Sequence, residues 1–190
     1  MKMQIGVIGP SLINYQINPN AKELEEIAEK IGGLIAKADA ILFTGGADGI
    51  MEVASRGAKN AGGLVVGTPG PKRKSSNKFV DVEVLTPIST GDFLFAGILS
   101  SDVIIIIGES AGTTAELALA YRYKKQMIIV KGISKYYDSL IGKSLDNNKC
   151  TTFLGVNSPE EAVELAIKIA KENVNKPNIT KDDIKRGELR

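Results

Sequence analysis

Thr113 and Glu116 stand three residues apart where an apolar run gives way to the loop Gly108-Glu109-Ser110-Ala111-Gly112. A helix starting here would present unpaired N–H groups and about half a positive charge, a natural seat for an anion. Backbone amides of this loop, with the hydroxyls of Ser110, Thr113 and Thr114, could cradle a phosphate. Glu116 in the first turn would be held ionised by the helix dipole, an effect of ~0.3–1 kcal/mol. It could then accept ribose hydroxyls or act as a base. The same Thr113–Glu116 spacing is also that of a capping box, a purely structural device. Glu109 adds a second carboxylate to a loop suited to an anion. A second glycine loop, Thr44-Gly45-Gly46-Ala47-Asp48-Gly49, and the turn Gly9-Pro10-Ser11 supply further candidate ligand contacts at Gly9, Ser11, Thr44, Gly45, Gly46 and Gly49. Asp48 and Glu52 have weaker claims, since Asp in a glycine-rich turn ordinarily serves the turn.

These loops need rigid supports. Five β-branched residues, Val103 to Ile107, suit a strand covered on both faces, as in a parallel sheet. The Ala/Leu-rich stretch from Thr113 to Lys124 follows as a helix. Similar apolar runs predict strands over 3–9, 40–43, 64–67, 80–85, 127–130 and 152–156. Helices are predicted from Pro19 (at the first helical position) to Ala38, from Ile50 to Gly62, over 92–101, over 136–145, and from Ser158 onward. The last opens on Ser158-Pro159-Glu160-Glu161, a capping box with Pro at its first position. Strands alternating with helices imply one doubly wound parallel sheet, an α/β fold with helices on both faces. A single domain over 1–172 is expected, with 173–190 a polar tail. Residues 71–78 (PKRKSSNK) are basic and aperiodic: a solvated loop, or a mobile flap bringing positive charge to a phosphate.

The chain has 190 residues, 43% of them hydrophobic, enough for a substantial core. Its 24 basic and 22 acidic side chains are mixed and leave a net charge of +2, which makes no case for nucleic acid or a membrane surface. Without histidine, Ser-His-Asp and Cys-His catalysis and His-ligated zinc are excluded. The single cysteine, Cys150, excludes an internal disulfide framework. There is no metal-ligand spacing, no signal-peptide pattern and no bilayer-length apolar run, so a cytoplasmic protein without a metal site is expected. The first strand lacks G-x-G-x-x-G, and Gly142-Lys143-Ser144 follows no apolar strand and lacks the first glycine of a Walker motif.

Thr44 to Ala54 (TGG-x-x-G-x-M-E-x-A), Gly62-Gly63 and Gly108 to Glu116 (G-x-x-x-G-T-x-x-E) together are similar to a Rossmann-like family. That family contains the lonely-guy cytokinin-activating phosphoribohydrolases, the molybdenum-cofactor carrier proteins and proteins labelled lysine decarboxylases. The resemblance covers about residues 3–171. It implies a nucleotide-like ligand, its phosphate on Gly112-Thr113-Thr114, and a homodimer. Where the hydrolase signature has Pro-Gly-Gly, this chain has Gly108-Glu109-Ser110. Where the hydrolases carry an Arg-Lys pair it has Phe93-Leu94, so of the catalytic Arg and Glu only Glu116 survives. The decarboxylase label finds no pyridoxal-phosphate lysine motif. The expected function is binding of a phosphorylated nucleotide-like or pterin-like ligand, molybdenum cofactor included. The alternatives are a nucleoside 5′-monophosphate phosphoribohydrolase, with Glu116 catalytic, and a dimeric sensor or assembly module.

Overall fold

The structure, a computed structural model, describes residues 1–87 and 96–175. Seven parallel strands form one sheet: β1 (Gln4–Ile8), β2 (Ile41–Thr44), β3 (Val65–Gly67), β4 (Val82–Glu83), β5 (Val103–Ile106), β6 (Gln126–Val130) and β7 (Phe153–Val156). Their order is β4-β3-β2-β1-β5-β6-β7. The chain winds outward from β1 to β4, returns to lay β5 beside β1, then winds outward the other way. Ile5 pairs with Val103 and Ile8 with Ile106 across that reversal.

The β-branched run at 103–107 is central because both its faces are covered. Val103, Ile105 and Ile107 join Ile5, Val7 and Leu42 in one core; Ile104 and Ile106 join Ile8, Phe43 and Met127 in the other. That is the two-residue alternation of a strand. The first core lies under α2 (Ala21–Lys37), α3 (Ile50–Asn60) and α7 (Pro159–Val174). The second lies under α5 (Ala111–Arg122), through Leu117, Ala120 and Tyr121, and takes Ile98 from the short α4 (Ile98–Ser100). Helices thus cover both faces, as the alternation implied.

Helices α2 and α3 cross at unusually close range. A Cβ on Gly32 would lie 1.9 Å from the Ala54 carbonyl oxygen, and one on Gly57 2.0 Å from that of Glu29. Arg56 closes the same crossing, donating to both carboxylate oxygens of Glu29, at 3.1 and 2.9 Å, and to Glu25 at 2.9 Å. Its hydrogen bonds hold both carboxyls below their ordinary range. Tyr15, on the short α1 (Leu12–Gln16), donates to Glu25 at 2.8 Å. Burial and that bond push its phenol up to about 12.

Several boundaries differ from expectation. Helix α1 is unheralded, and α2 begins at Ala21 with Asn20 as its cap, not at Pro19. The Asn18 side chain accepts from the Asn20 amide at 2.8 Å, a local turn that delays the helix. Helix α6 (Lys135–Asp138) is shorter than predicted, ending before Gly142, whose φ is 75°. The edge strand β4 pairs with β3 at only two positions, Val66↔Val82 and Gly67↔Glu83. The cap on α7 is as expected: Ser158 Oγ accepts from the Glu161 amide at 3.2 Å, with Pro159 leading the helix. The expected 92–101 helix lies outside the described residues up to position 95, and so does the tail beyond 175. No described helix is long and apolar enough to cross a membrane.

Candidate functional site

Sheet order places the reversal between β1 and β5, and in such sheets ligands bind in the crevice at the carboxyl ends of those strands. Three loops meet there. A Cβ on Gly108 would lie 3.2 Å from Pro10 Cδ, and one on Gly49 2.5 Å from the Pro10 carbonyl oxygen. The turn at 9–11 therefore sits between the two glycine loops.

The glycines have different reasons to be there. Gly9 packs against β5, since a Cβ on it would lie 2.5 Å from the Ile107 carbonyl oxygen. Gly49 and Gly46 are left-handed, with φ of 69° and 75°. Gly45 and Gly46 are buried, and Thr44, fully buried, accepts from the Gly46 amide at 2.9 Å. Gly112 is unlike these. It is exposed, and a Cβ on it would meet only Ser110 Oγ, at 3.7 Å. Within a helix, glycine is less stable than alanine by roughly 0.5–1 kcal/mol. Among the described residues, no packing requires it at 112.

Helix α5 is capped by Ser110, not Thr113. Ser110 is extended, with φ −160°, and its Oγ accepts from the Thr113 amide at 3.1 Å. The capping pair is therefore Ser110–Thr113, one turn ahead of Thr113–Glu116. Both threonine hydroxyls have protein partners. Thr113 Oγ1 is 2.9 Å from Ser110 Oγ; Thr114 Oγ1 is 2.9 Å from the Ser110 carbonyl and 3.0 Å from the Tyr137 hydroxyl. The amides of Ala111 and Gly112, both exposed at the first two helical positions, have no acceptor among the described residues.

Glu116 lies one helical step beyond Gly112, on the same side of α5. Its side chain is half-buried and has no hydrogen bond or ion pair among the described residues. Burial pushes its carboxyl up to about 8, so at neutral pH it is largely protonated. The dipole was expected to keep it ionised. That effect reaches only the first turn and is worth ~0.3–1 kcal/mol, less than the desolvation of a carboxylate at this depth.

Glu109 points toward α6. Its carboxylate accepts from the Ser134 hydroxyl, and Ser134 Oγ in turn accepts from the Tyr137 amide at 3.1 Å. Asp48 Oδ1 accepts from the Leu12 amide at 3.0 Å, so it caps α1 from across the site; Ser11 Oγ accepts from Asn14 at 3.3 Å. The basic segment is tied down as well. Asn77 Nδ2 donates to the carbonyls of Gly46 and Ala47, at 3.1 and 2.9 Å. Glu83 accepts from the amides of Lys74 and Ser76, at 2.8 and 3.0 Å. Neither Asn77 nor Glu83 stood out in the sequence; the only hint was an Asn beside two serines in an aperiodic stretch. The side chains of Lys72, Arg73 and Lys74 are exposed and form no ion pair among the described residues. No group of three or more metal-ligating side chains lies among the described residues. Cys150 is at the opposite edge of the sheet, its amide donating to Tyr121.

The site can thus offer two free amides over an open glycine, flanked by a neutral carboxyl. Known proteins share the fold that carries it. The solved structure of TM1055 superposes with a TM-score of 0.78 at 31% identity, covering 88% of this chain and 99% of that one. A molybdenum cofactor binding protein from the phototrophic bacterium Rippkaea orientalis gives a TM-score of 0.75 at 33% identity, over 89% of this chain and 98% of that one. The molybdenum cofactor carrier protein of Chlamydomonas reinhardtii gives 0.75 at 27% identity, with the same coverage. An uncharacterized protein of Archaeoglobus fulgidus is 35% identical over 129 residues, 68% of this chain and 80% of its own length. The SLOG cluster4 profile matches residues 2–163, and with a parallel sheet, paired glycine loops and carrier-protein relatives in agreement, the chain belongs to the SLOG cluster4 family, within the Rossmann-like group its motifs resembled.

Proposed function

We propose that this protein binds a phosphorylated nucleotide-like or pterin-like molecule, whose phosphate is held by the amides of Ala111 and Gly112. The observation that carries this is Gly112 itself. Among the described residues a Cβ there would meet only Ser110 Oγ, no packing demands glycine, and its amide has no acceptor at the start of a twelve-residue helix beside the sheet reversal. Only backbone amides need serve, because the hydroxyls of Thr113 and Thr114 already have protein partners. The relatives named as molybdenum cofactor proteins support the same class of ligand. Molybdenum cofactor fits as cargo at its phosphate end, on these amides. A protonated Glu116 could both donate to and accept from a heterocycle, whereas Cys150 at the far edge offers the metal nothing.

N-glycosidic hydrolysis is less well served. It wants an ionised carboxylate beside the ribose as positive charge builds, and Glu116 is largely neutral at pH 7. A homodimer is part of the proposal, with light scattering expected to give twice the 20.2 kDa chain mass.

The test is thermal unfolding with ribose 5-phosphate, AMP and GMP, chelator present. At ~100 times the dissociation constant, a ligand should add about 2.7 kcal/mol. Gly112→Ala should leave the unliganded protein as stable or up to about 1 kcal/mol more so, and should lose most of the ligand-induced shift. No shift from any phosphate ligand removes the proposal. Release of adenine from AMP, lost in Glu116→Gln, replaces it with hydrolysis.

A further inference from the structure

Among the described residues, three buried side-chain oxygens have no hydrogen-bond partner: Thr68 Oγ1, Ser76 Oγ and Thr86 Oγ1. All three belong to one stretch, from the end of β3 through the basic segment to just past β4. The other buried hydroxyls, on Thr44, Ser55, Ser101, Thr113, Ser134 and Thr151, are all paired. Folded proteins rarely leave such a group unpaired, and three in one corner of a sheet call for a cause.

Thr68 follows β3 and is 3% exposed, its amide donating to the Thr44 carbonyl at 3.1 Å. A Cβ on Gly46 would lie 3.0 Å from Ser76 Oγ and 3.5 Å from the Thr68 amide nitrogen. The two residues therefore converge over the loop after β2. Asn77 fastens the segment carrying Ser76 to that loop, through Gly46 and Ala47.

We propose that Thr68 and Ser76 form a second subsite, which takes the hydrogen-bonding edge of the ligand's heterocycle while its phosphate sits on Ala111 and Gly112. This rests on the phosphate site proposed above. Strands β5, β1, β2 and β3 are consecutive neighbours. Three strand spacings put the two subsites ~14 Å apart along the carboxyl edge, a reach suited to a nucleotide laid across the turn at 9–11. A hydroxyl both donates and accepts, so a pair can match the mixed donors and acceptors on a purine or pterin edge. The oxygens are covered in this structure, so the heterocycle enters when the Asn77 clamp on Gly46 releases.

The experiment compares wild type, Thr68→Val and Ser76→Ala, by thermal unfolding without ligand and by titration with ribose 5-phosphate, GMP and neopterin monophosphate. Thr68→Val removes no hydrogen bond, and Ser76→Ala only the approach of its hydroxyl to the Glu83 carboxylate, so both unliganded variants should melt close to or above the wild-type temperature. Affinity for the heterocycle-bearing ligand should fall about tenfold, the loss of a hydrogen bond in a desolvated site. Affinity for ribose 5-phosphate should not change. A loss confined to GMP, or to neopterin monophosphate, identifies the heterocycle. If wild type binds ribose 5-phosphate but neither substitution alters the other two ligands, the second subsite alone is overturned. A lower melting temperature in either unliganded variant also overturns it, since the hydroxyls would then be structural. If wild type does not bind even ribose 5-phosphate, the phosphate site falls and the second subsite with it.

Discussion

The Ser134 hydroxyl donates to the Glu109 carboxylate, tying the loop after β5 to the first turn of α6. Glu109 therefore stays beside the proposed phosphate site, oriented by a partner twenty-five residues away in the chain. Glu109→Gln keeps an acceptor for Ser134 and removes the charge. A carboxylate ~8 Å from a phosphate costs about 0.5–2 kcal/mol between effective dielectrics of 80 and 20. Ribose 5-phosphate should then bind roughly two- to thirtyfold more tightly to Glu109→Gln, measured by calorimetric titration. An unchanged affinity would mean that the phosphate sits elsewhere.

Glu116 makes stability depend on pH in a specific direction. Its carboxyl rises from the ordinary 4.5 to about 8 on folding. Below pH 4.5 both folded and unfolded chains hold the proton, and the folded state suffers no penalty. Between 4.5 and about 8 the unfolded chain ionises while the folded one does not, so stability falls as pH rises through that window. The side chain is half-buried, so the fall should amount to a few kcal/mol at most. Urea unfolding of wild type and Glu116→Gln at pH 5, 7 and 9 checks this: Glu116→Gln should gain stability relative to wild type as pH rises. Parallel profiles would show that the carboxyl titrates normally.

The α2–α3 crossing makes opposite demands on two glycines on its facing helices, Gly57 and Gly33. Gly57→Ala drives a methyl to 2.0 Å from a backbone oxygen that cannot swing aside, and should cost about 3 kcal/mol or more. Gly33→Ala places its methyl 3.5 Å from the Gly57 carbonyl, an ordinary contact. It should stabilise the protein by roughly 0.5–1 kcal/mol through helix propensity. Chemical denaturation of the two variants measures both signs, and a negligible loss in Gly57→Ala would show that the crossing is looser than described.

Near-neighbour patterns in the chain were enough to establish the parallel sheet, both glycine loops and the Ser158-Pro159 helix start. The run Val103 to Ile107 could only be a strand covered on both faces, and it lies at the centre of the sheet. Such features depend on residues within about one turn or one strand of each other, which is the range that periodicity and capping rules describe. What the site can do chemically was decided further away. The extended backbone of Ser110 gave it the cap and made Thr113 its partner, where the sequence pointed to Thr113 and Glu116. Gly32 and Gly57 owe their place to the crossing of α2 over α3, which puts a carbonyl against each. Asn77 meets Gly46 across thirty-one residues, and Ser134 meets Glu109 across twenty-five. Glu116 is a charged residue by composition and a neutral acid by position. Folding removed the water that would have kept it ionised, and no local pattern records how much water a side chain will lose.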